Sequence, residues 1–300
     1  MTVAALPGAA RVSSRFTTAR LAPLAIAFAA FVILFTKPAV RLARDWWTNP
    51  EAGHGLLLAP VAIWLALRIG VRDGAKPDVR GGTAILGIAV LLRATSELAA
   101  ELFTMRISMV VALAGLVVFY WGWQQIREWW LPFLLLALAV PLPELIISAL
   151  SLPLQFRASR LGAALLEWRH VPVRLSGNIL AIPGYQLFVT EACSGLRSLT
   201  ALLSVAVLTA GLWLRSPAAR WLLVLVAIPV AVVINGVRVF LTGFLMMFVG
   251  PGYGRGFMHV TEGWLLFLVS LLAIGTITLV FRALERRLGL PREAGPDAVR

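Results

Sequence analysis

Apolar runs of about 17 to 25 residues recur along this chain, each long enough to cross the hydrocarbon core of a bilayer. Of its 300 residues, 60% are hydrophobic and only 14% charged. No ordinary soluble domain has this balance, and no segment between the runs is long enough to bury a core of its own. The expected architecture is an all-α polytopic membrane protein with about eight transmembrane helices. They fall at 21–36, 55–70, 83–102, 107–123, 130–150, 195–214, 221–250 and 260–281. Residues 1–20 carry Arg11, Arg15 and Arg20 and no acid, like a transit or signal segment. Because more membrane helices follow, they read as a cytoplasmic tail. Residues 21–282 then form the membrane domain and 283–300 a cytoplasmic C-terminal tail.

Three spans depart from a plain apolar run. Arg93 and Glu97 interrupt the third, one turn apart and able to pair. Pro141 and Pro143 should kink the fifth. The seventh is too long: about 29 residues span about 43 Å, against a core of about 30 Å. It must tilt strongly or bend at Gly243. Between the fifth and sixth spans the pattern changes. Residues 152–168 read as an amphipathic helix, with Arg157, Arg160 and Arg169 among Leu154, Leu161, Leu165 and Leu166, suited to the membrane surface. Residues 171–190 alternate and carry Gly and Pro, which predicts a small hairpin. Both segments are expected on the outer face.

The net charge is +13, almost all arginine; Lys37 and Lys76 are the only lysines. The arginines lie mainly in tails and short loops, where anionic headgroups and the positive-inside rule account for them without nucleic acid. The N-terminal tail, the 68–80 and 215–220 loops and the C-terminal tail should all be cytoplasmic. Lys37, Arg41 and Arg44, in the loop expected after the first span, run against this rule, partly offset by Asp45 and Glu51. That topology brings His54, Cys193, Arg238 and His259, from four different spans, to the outer face.

Cys193 is the only cysteine, so it has no intrachain disulfide partner, and neither a CxxC pair nor a thiolate cluster exists. No metal site or cofactor is expected. Cys193 starts a helix, where the N–H dipole favours a thiolate, as does Arg197 one turn on. A packed small residue is the alternative. Arg238 interrupts an apolar run, an expensive position in lipid that points to function unless the side chain snorkels outward. Asn235 lies one turn earlier on the same face. His259 has the pKa range of a general acid or base, or is an interfacial hydrogen-bonding residue. Glu191 would cap the sixth span or orient a partner. His54, in Gly53-His54-Gly55, is a supporting candidate, whereas His170 beside Arg169 reads as a surface residue. Trp46, Trp47, Trp121, Trp123, Trp129 and Trp130 read as an interfacial belt. Cysteine, histidine and a cation are the set needed for covalent acyl transfer. HExxH, GxSxG and P-loop motifs do not occur.

At these residues the chain resembles the exosortase/archaeosortase family. Glu191-Ala-Cys193-Ser-Gly-Leu-Arg197 is similar to its cysteine box and Asn235-Gly-Val-Arg238 to its arginine box. His259 followed by Glu262-Gly263-Trp264 resembles its histidine segment, and His54-Gly55 its N-terminal segment, with Gly53 where serine is usual. Pro141-Leu-Pro143, Leu154-Gln155 and Gly177-Asn178 fall in the expected order. The resemblance covers about residues 40–282. It implies a transpeptidase or protease of the cytoplasmic (inner) membrane acting at the outer face through a thioester. Cys193 would be the nucleophile, Arg238 the electrostatic partner and His259 the proton-transfer residue, with Arg197, Asn235, His54 and Glu191 in support. Its partners would be C-terminal sorting signals of exported proteins: a Pro-Glu-Pro-like motif, a transmembrane helix and an arginine cluster. Some relatives carry a further C-terminal periplasmic domain, expected here to be absent or separate. Two other classes fit the polar residues. A transporter or flippase for an anionic lipid-linked substrate would place its site at midplane in repeated halves; a scaffold for polysaccharide or protein export would need no reactive thiol.

Overall fold

The computed structural model describes residues 18–49, 51–189, 196–250 and 256–289. In chain order the helices are α1 (Thr18–Thr48), α2 (Gly55–Ile69), α3 (Val79–Leu98), α4 (Leu102–Trp121), α5 (Trp123–Glu128), α6 (Trp130–Leu138) and α7 (Glu144–Trp168). A small sheet follows, β1 (Arg174–Ser176), β2 (Ile179–Ile182) and β3 (Tyr185–Phe188). It is followed by α8 (Leu196–Trp213), α9 (Pro217–Phe248) and α10 (Gly256–Arg287). Among the described residues five helices are long and apolar enough to cross a membrane: Ala25–Thr48, Val79–Leu98, Leu102–Trp121, Pro217–Phe248 and Thr261–Arg287. Gly55–Ile69 and Arg197–Trp213 are apolar but shorter. The chain is thus a mostly helical, multi-pass protein.

The helix ends sort into two groups. At one end, Trp129 Nε1 donates to the Gly70 carbonyl at 3.0 Å, and Arg72 pairs with Glu128 at 3.0 Å. Trp123 Nε1 reaches Asp78 at 3.1 Å, and Arg220 stacks 5.4 Å over Trp130. The buried Glu285 of α10 accepts the N–H groups of Arg215 and Ser216 ahead of α9. The arginine-bearing loops 68–80 and 215–220 and the end of α10 therefore gather together. At the other end, Arg106 of α4 pairs with Asp45 of α1, His54 meets the Leu138 carbonyl, and the hairpin segment packs on α7.

Close helix crossings depend on glycine. A Cβ at Gly82 would lie 2.4 Å from Phe119 Cα, and one at Gly236 2.3 Å from Leu161 Cδ2. Small residues let backbones approach where lipid offers no hydrophobic drive between helices. Arg93 and Glu97 form the expected pair on α3.

Several elements differ from expectation. The first helix does not stop near residue 36. Phe35, Pro38 and Leu42, at helical spacing, keep one face buried, and α1 carries Lys37, Arg41 and Arg44 to Thr48 as helix rather than loop. The fifth span is broken, not kinked: α6 ends at Leu138, and Pro143 precedes α7 with extended backbone, φ −61°, ψ 145°. Residues before proline are pushed out of the helical region, and Pro141 and Pro143 lie two apart. The amphipathic segment starts earlier, at Glu144. Its face of Ser151, Gln155, Ala158, Ser159, Gly162 and Leu166 is buried, while Arg157 and Arg160 stay exposed. The hairpin gains a third strand, in order β1-β2-β3, turning at Gly177 and again at Gly184 (φ +80°).

The long seventh span is one continuous helix that runs through Gly243 to Phe248. Its excess length has another use. Val239, Phe240, Phe244 and Met247 join Leu166 of α7, Leu180 and Ile182 of the sheet and Val189 just after it in a core of their own. A separate core of Leu202, Ala206, Leu223, Ala227 and Ile274 holds α8, α9 and α10 together nearer the arginine-rich end.

Candidate active site

Arg238 lies 21 residues into α9, roughly 32 Å from the helix start at 1.5 Å per residue. Its side chain borders two small cavities. One is lined with Leu187 and Phe188 from the sheet, Val189 just after it, and Thr242. The other is lined with Ser198 of α8, Asn235 of α9, and Gly263, Leu266 and Ser270 of α10. Asn235 is buried, at 6% exposure, and shares the second cavity with Arg238, as their spacing on one helix face predicted.

Gly263 makes room for the guanidinium. A Cβ there would sit 2.9 Å from Arg238 Nη2 and 3.2 Å from Cζ. Any other residue would push the cation away from α10. Next to it, Glu262 is 7% exposed and accepts a hydrogen bond from the buried Thr242 hydroxyl, 3.1 Å from one carboxylate oxygen. Glu262 also lies within reach of the Arg238 charge. The arrangement sets a permanent cation, itself half-buried, near a buried carboxylate where α8, α9 and α10 meet. Electrostatic interactions gain strength in such surroundings. A guanidinium held this way can receive a carboxylate or a developing oxyanion.

The other predicted residues fall as follows. Cys193 and Glu191 lie outside the described residues. The described chain on either side of them, Val189 and Ser198, borders the two Arg238 cavities. Arg197 is exposed on the first turn of α8. His259 is described by its backbone alone, in α10, four residues before Gly263 and so on the same helix face.

His54 is placed elsewhere. It precedes α2 with its Nε2 3.1 Å from the Leu138 carbonyl, while Trp46 Nε1 donates to the neighbouring Ala139 carbonyl at 2.7 Å. The two side chains together satisfy the frayed end of α6. Gly55 is required because a Cβ would lie 2.1 Å from Trp46 Nε1. Burial pushes the His54 imidazole below its usual pKa, although backbone hydrogen bonds at Leu138 and Glu51 oppose this. Trp46, Trp123 and Trp129 thus serve as hydrogen-bond donors between elements as well as interfacial aromatics. Among the described residues no three His, Cys, Asp or Glu side chains converge as a metal site would require.

A family model described as transmembrane exosortase (Exosortase_EpsH) matches residues 46–276. The chain belongs to the transmembrane exosortase family. No curated protein and no solved structure matches it. The matched range takes in His54, the Cys193 segment, Asn235, Arg238 and His259. Membership points to a sorting-enzyme role in a membrane and is consistent with peptidase or transpeptidase chemistry. Sequence reasoning about this exosortase placed Glu262 in the histidine segment without a role of its own and missed Thr242. Glu262 stands just inside the last span, where a carboxylate resembles an ordinary interfacial residue. Its burial comes only from the packing of α9 on α10.

Proposed function

We propose that this exosortase is a membrane cysteine transpeptidase or protease that cleaves C-terminal sorting signals at the outer face of the cytoplasmic membrane. Cys193 attacks the scissile carbonyl as a thiolate. The tetrahedral oxyanion is stabilised by Arg238, and the leaving amine takes its proton from His259. The resulting thioester passes to water or to an acceptor amine, which restores the thiol. The observation that carries this reading is the position of Arg238: one half-buried cationic residue bordering two cavities whose walls include the described chain on both sides of the Cys193 segment, Val189 and Ser198. The position of His259, one turn from Gly263 on α10, supports its role.

We read the helix order as eight crossings, in which α2, α6 and α8 are shorter than a full span. α1, α2, α3, α4, α6, α8, α9 and α10 run alternately between the two ends, with the arginine-rich end cytoplasmic. Arg238 then lies toward the outer face, where a substrate helix leaves the bilayer. The C-terminal half of α9, with α7 and the sheet, forms a cap over that exit.

The test is processing of a reporter that ends in a Pro-Glu-Pro-like motif, an apolar helix and an arginine cluster. Cys193→Ala and Arg238→Ala leave the protein inserted and let uncleaved reporter accumulate. Cys193→Ser keeps at most a trace, because serine lacks the low pKa of a thiol. Normal processing in both alanine variants overturns the proposal.

A further inference from the structure

Val189 is the last described residue before the Cys193 segment, four positions ahead of the thiol. A single residue takes up both of its backbone polar groups. The Val189 N–H donates to the Asn178 carbonyl at 3.0 Å, and its own carbonyl accepts from Asn178 Nδ2 at 3.0 Å. The same Nδ2 donates to Gln155 Oε1 at 3.1 Å, and Gln155 Nε2 donates to the Ser151 hydroxyl at 3.2 Å. Because a carbonyl can only accept, Val189 fixes which end of the Asn178 amide faces it. That in turn fixes the orientation of Gln155. Gln155 and Ser151 are 6% and 3% exposed, so a gap in this chain would leave a buried polar group unpaired.

The turn itself does not need this amide. Gly177, at φ +62°, supplies the left-handed residue, and Asn178 does not adopt a positive φ. The side chain adds a bond at the point where the strand gives way to the Cys193 segment, and it anchors that point to α7. The same helix is seated on α9 beside Arg238: a Cβ at Gly162 would lie 2.5 Å from Val239 Cγ1. One helix therefore holds both the flank of the thiol segment and the neighbour of the guanidinium.

We infer that Asn178, braced by Gln155, is a positioning residue for Cys193: it registers the Val189 flank, from which the thiol segment continues, against the α7–α9 pair that carries Arg238. The inference rests on the nucleophile role proposed for Cys193 and adds what holds it in place.

Because Cys193 is the only cysteine, the alkylation rate of the full-length protein by iodoacetamide reports on that thiol alone. In Asn178→Asp the Gln155 amide can flip and donate to the new carboxylate, but nothing donates to the Val189 carbonyl. This variant isolates the Val189 bond. The expected result is an alkylation rate changed about tenfold and reporter cleavage slowed by about tenfold or more, in a protein that still inserts and unfolds cooperatively in detergent. Gln155→Met, close in shape, moves both in the same direction and carries the test if Asn178→Asp does not fold. Wild-type alkylation and cleavage in the folded variants overturn the inference. Cleavage that survives Cys193→Ala overturns the nucleophile role instead, a result separate from the alkylation measurement.

Discussion

Arg238 could be picked out from the sequence because a charge in an apolar run has no cheap explanation in lipid. Asn235 followed from it by helical spacing. What surrounds the guanidinium was not legible, since Gly263 and Glu262 reach it from a helix more than twenty residues away. Their importance can be measured. Gly263→Ala places a methyl carbon 2.9 Å from Arg238 Nη2, the far end of a flexible side chain. The fold should accommodate it with little loss of stability, while the displaced cation lowers reporter cleavage about tenfold or more. Unchanged cleavage would show that the cation need not sit against α10. His54 gives a prediction about pH. Burial holds its pKa below the usual 6.5, so the fold favours the neutral ring. Its stabilising contribution is complete above about pH 6.5 and is lost as pH falls through the lower folded value. Melting in detergent between pH 7.5 and 5 should show this loss, and His54→Gln should flatten it.

Among the elements, helix existence was readable wherever apolar runs were long, and boundaries were not. α1 runs past its expected end because Phe35, Pro38 and Leu42 continue one buried face, a signal weakened in the sequence by the intervening cations. The separation of α6 from α7 was announced by Pro141 and Pro143, but whether two prolines kink or break a helix depends on what caps the ends. Here Trp46 and His54 hold the freed carbonyls of Ala139 and Leu138. The third strand was hidden because Pro183-Gly184 also suits an ordinary loop. The length of α9 is explained only by the cap core that its last turns enter. The seat of α7 on α9 can be tested at Gly236, where a Cβ would meet Leu161 at 2.3 Å. Gly236→Val should cost about 1–3 kcal/mol through overpacking. Thermal unfolding in detergent measures it, and a wild-type melting temperature would contradict the tight crossing.

On the scale of the whole molecule, the arginine-bearing loops 68–80 and 215–220 and the end of α10 meet at one end of the bundle, which a shared side of the membrane requires. The orientation proposed for it is open to labelling in a Cys193→Ala background. Arg72→Cys should react with a membrane-impermeant maleimide only after the cells are opened, and Gln186→Cys, on the exposed side of β3, before. The reverse pattern would invert the topology. With the cap and Arg238 outward, the site faces a substrate where its helix leaves the bilayer, and the central claim becomes a statement about one sulfur atom. The direct measurement is mass spectrometry of the intact protein after brief exposure to the sorting-signal reporter, with hydroxylamine to release thioesters. The account predicts a hydroxylamine-sensitive adduct on Cys193 that carries the reporter's cleaved fragment, and no adduct in Cys193→Ala. Cleaved reporter from the Cys193→Ala protein would contradict it.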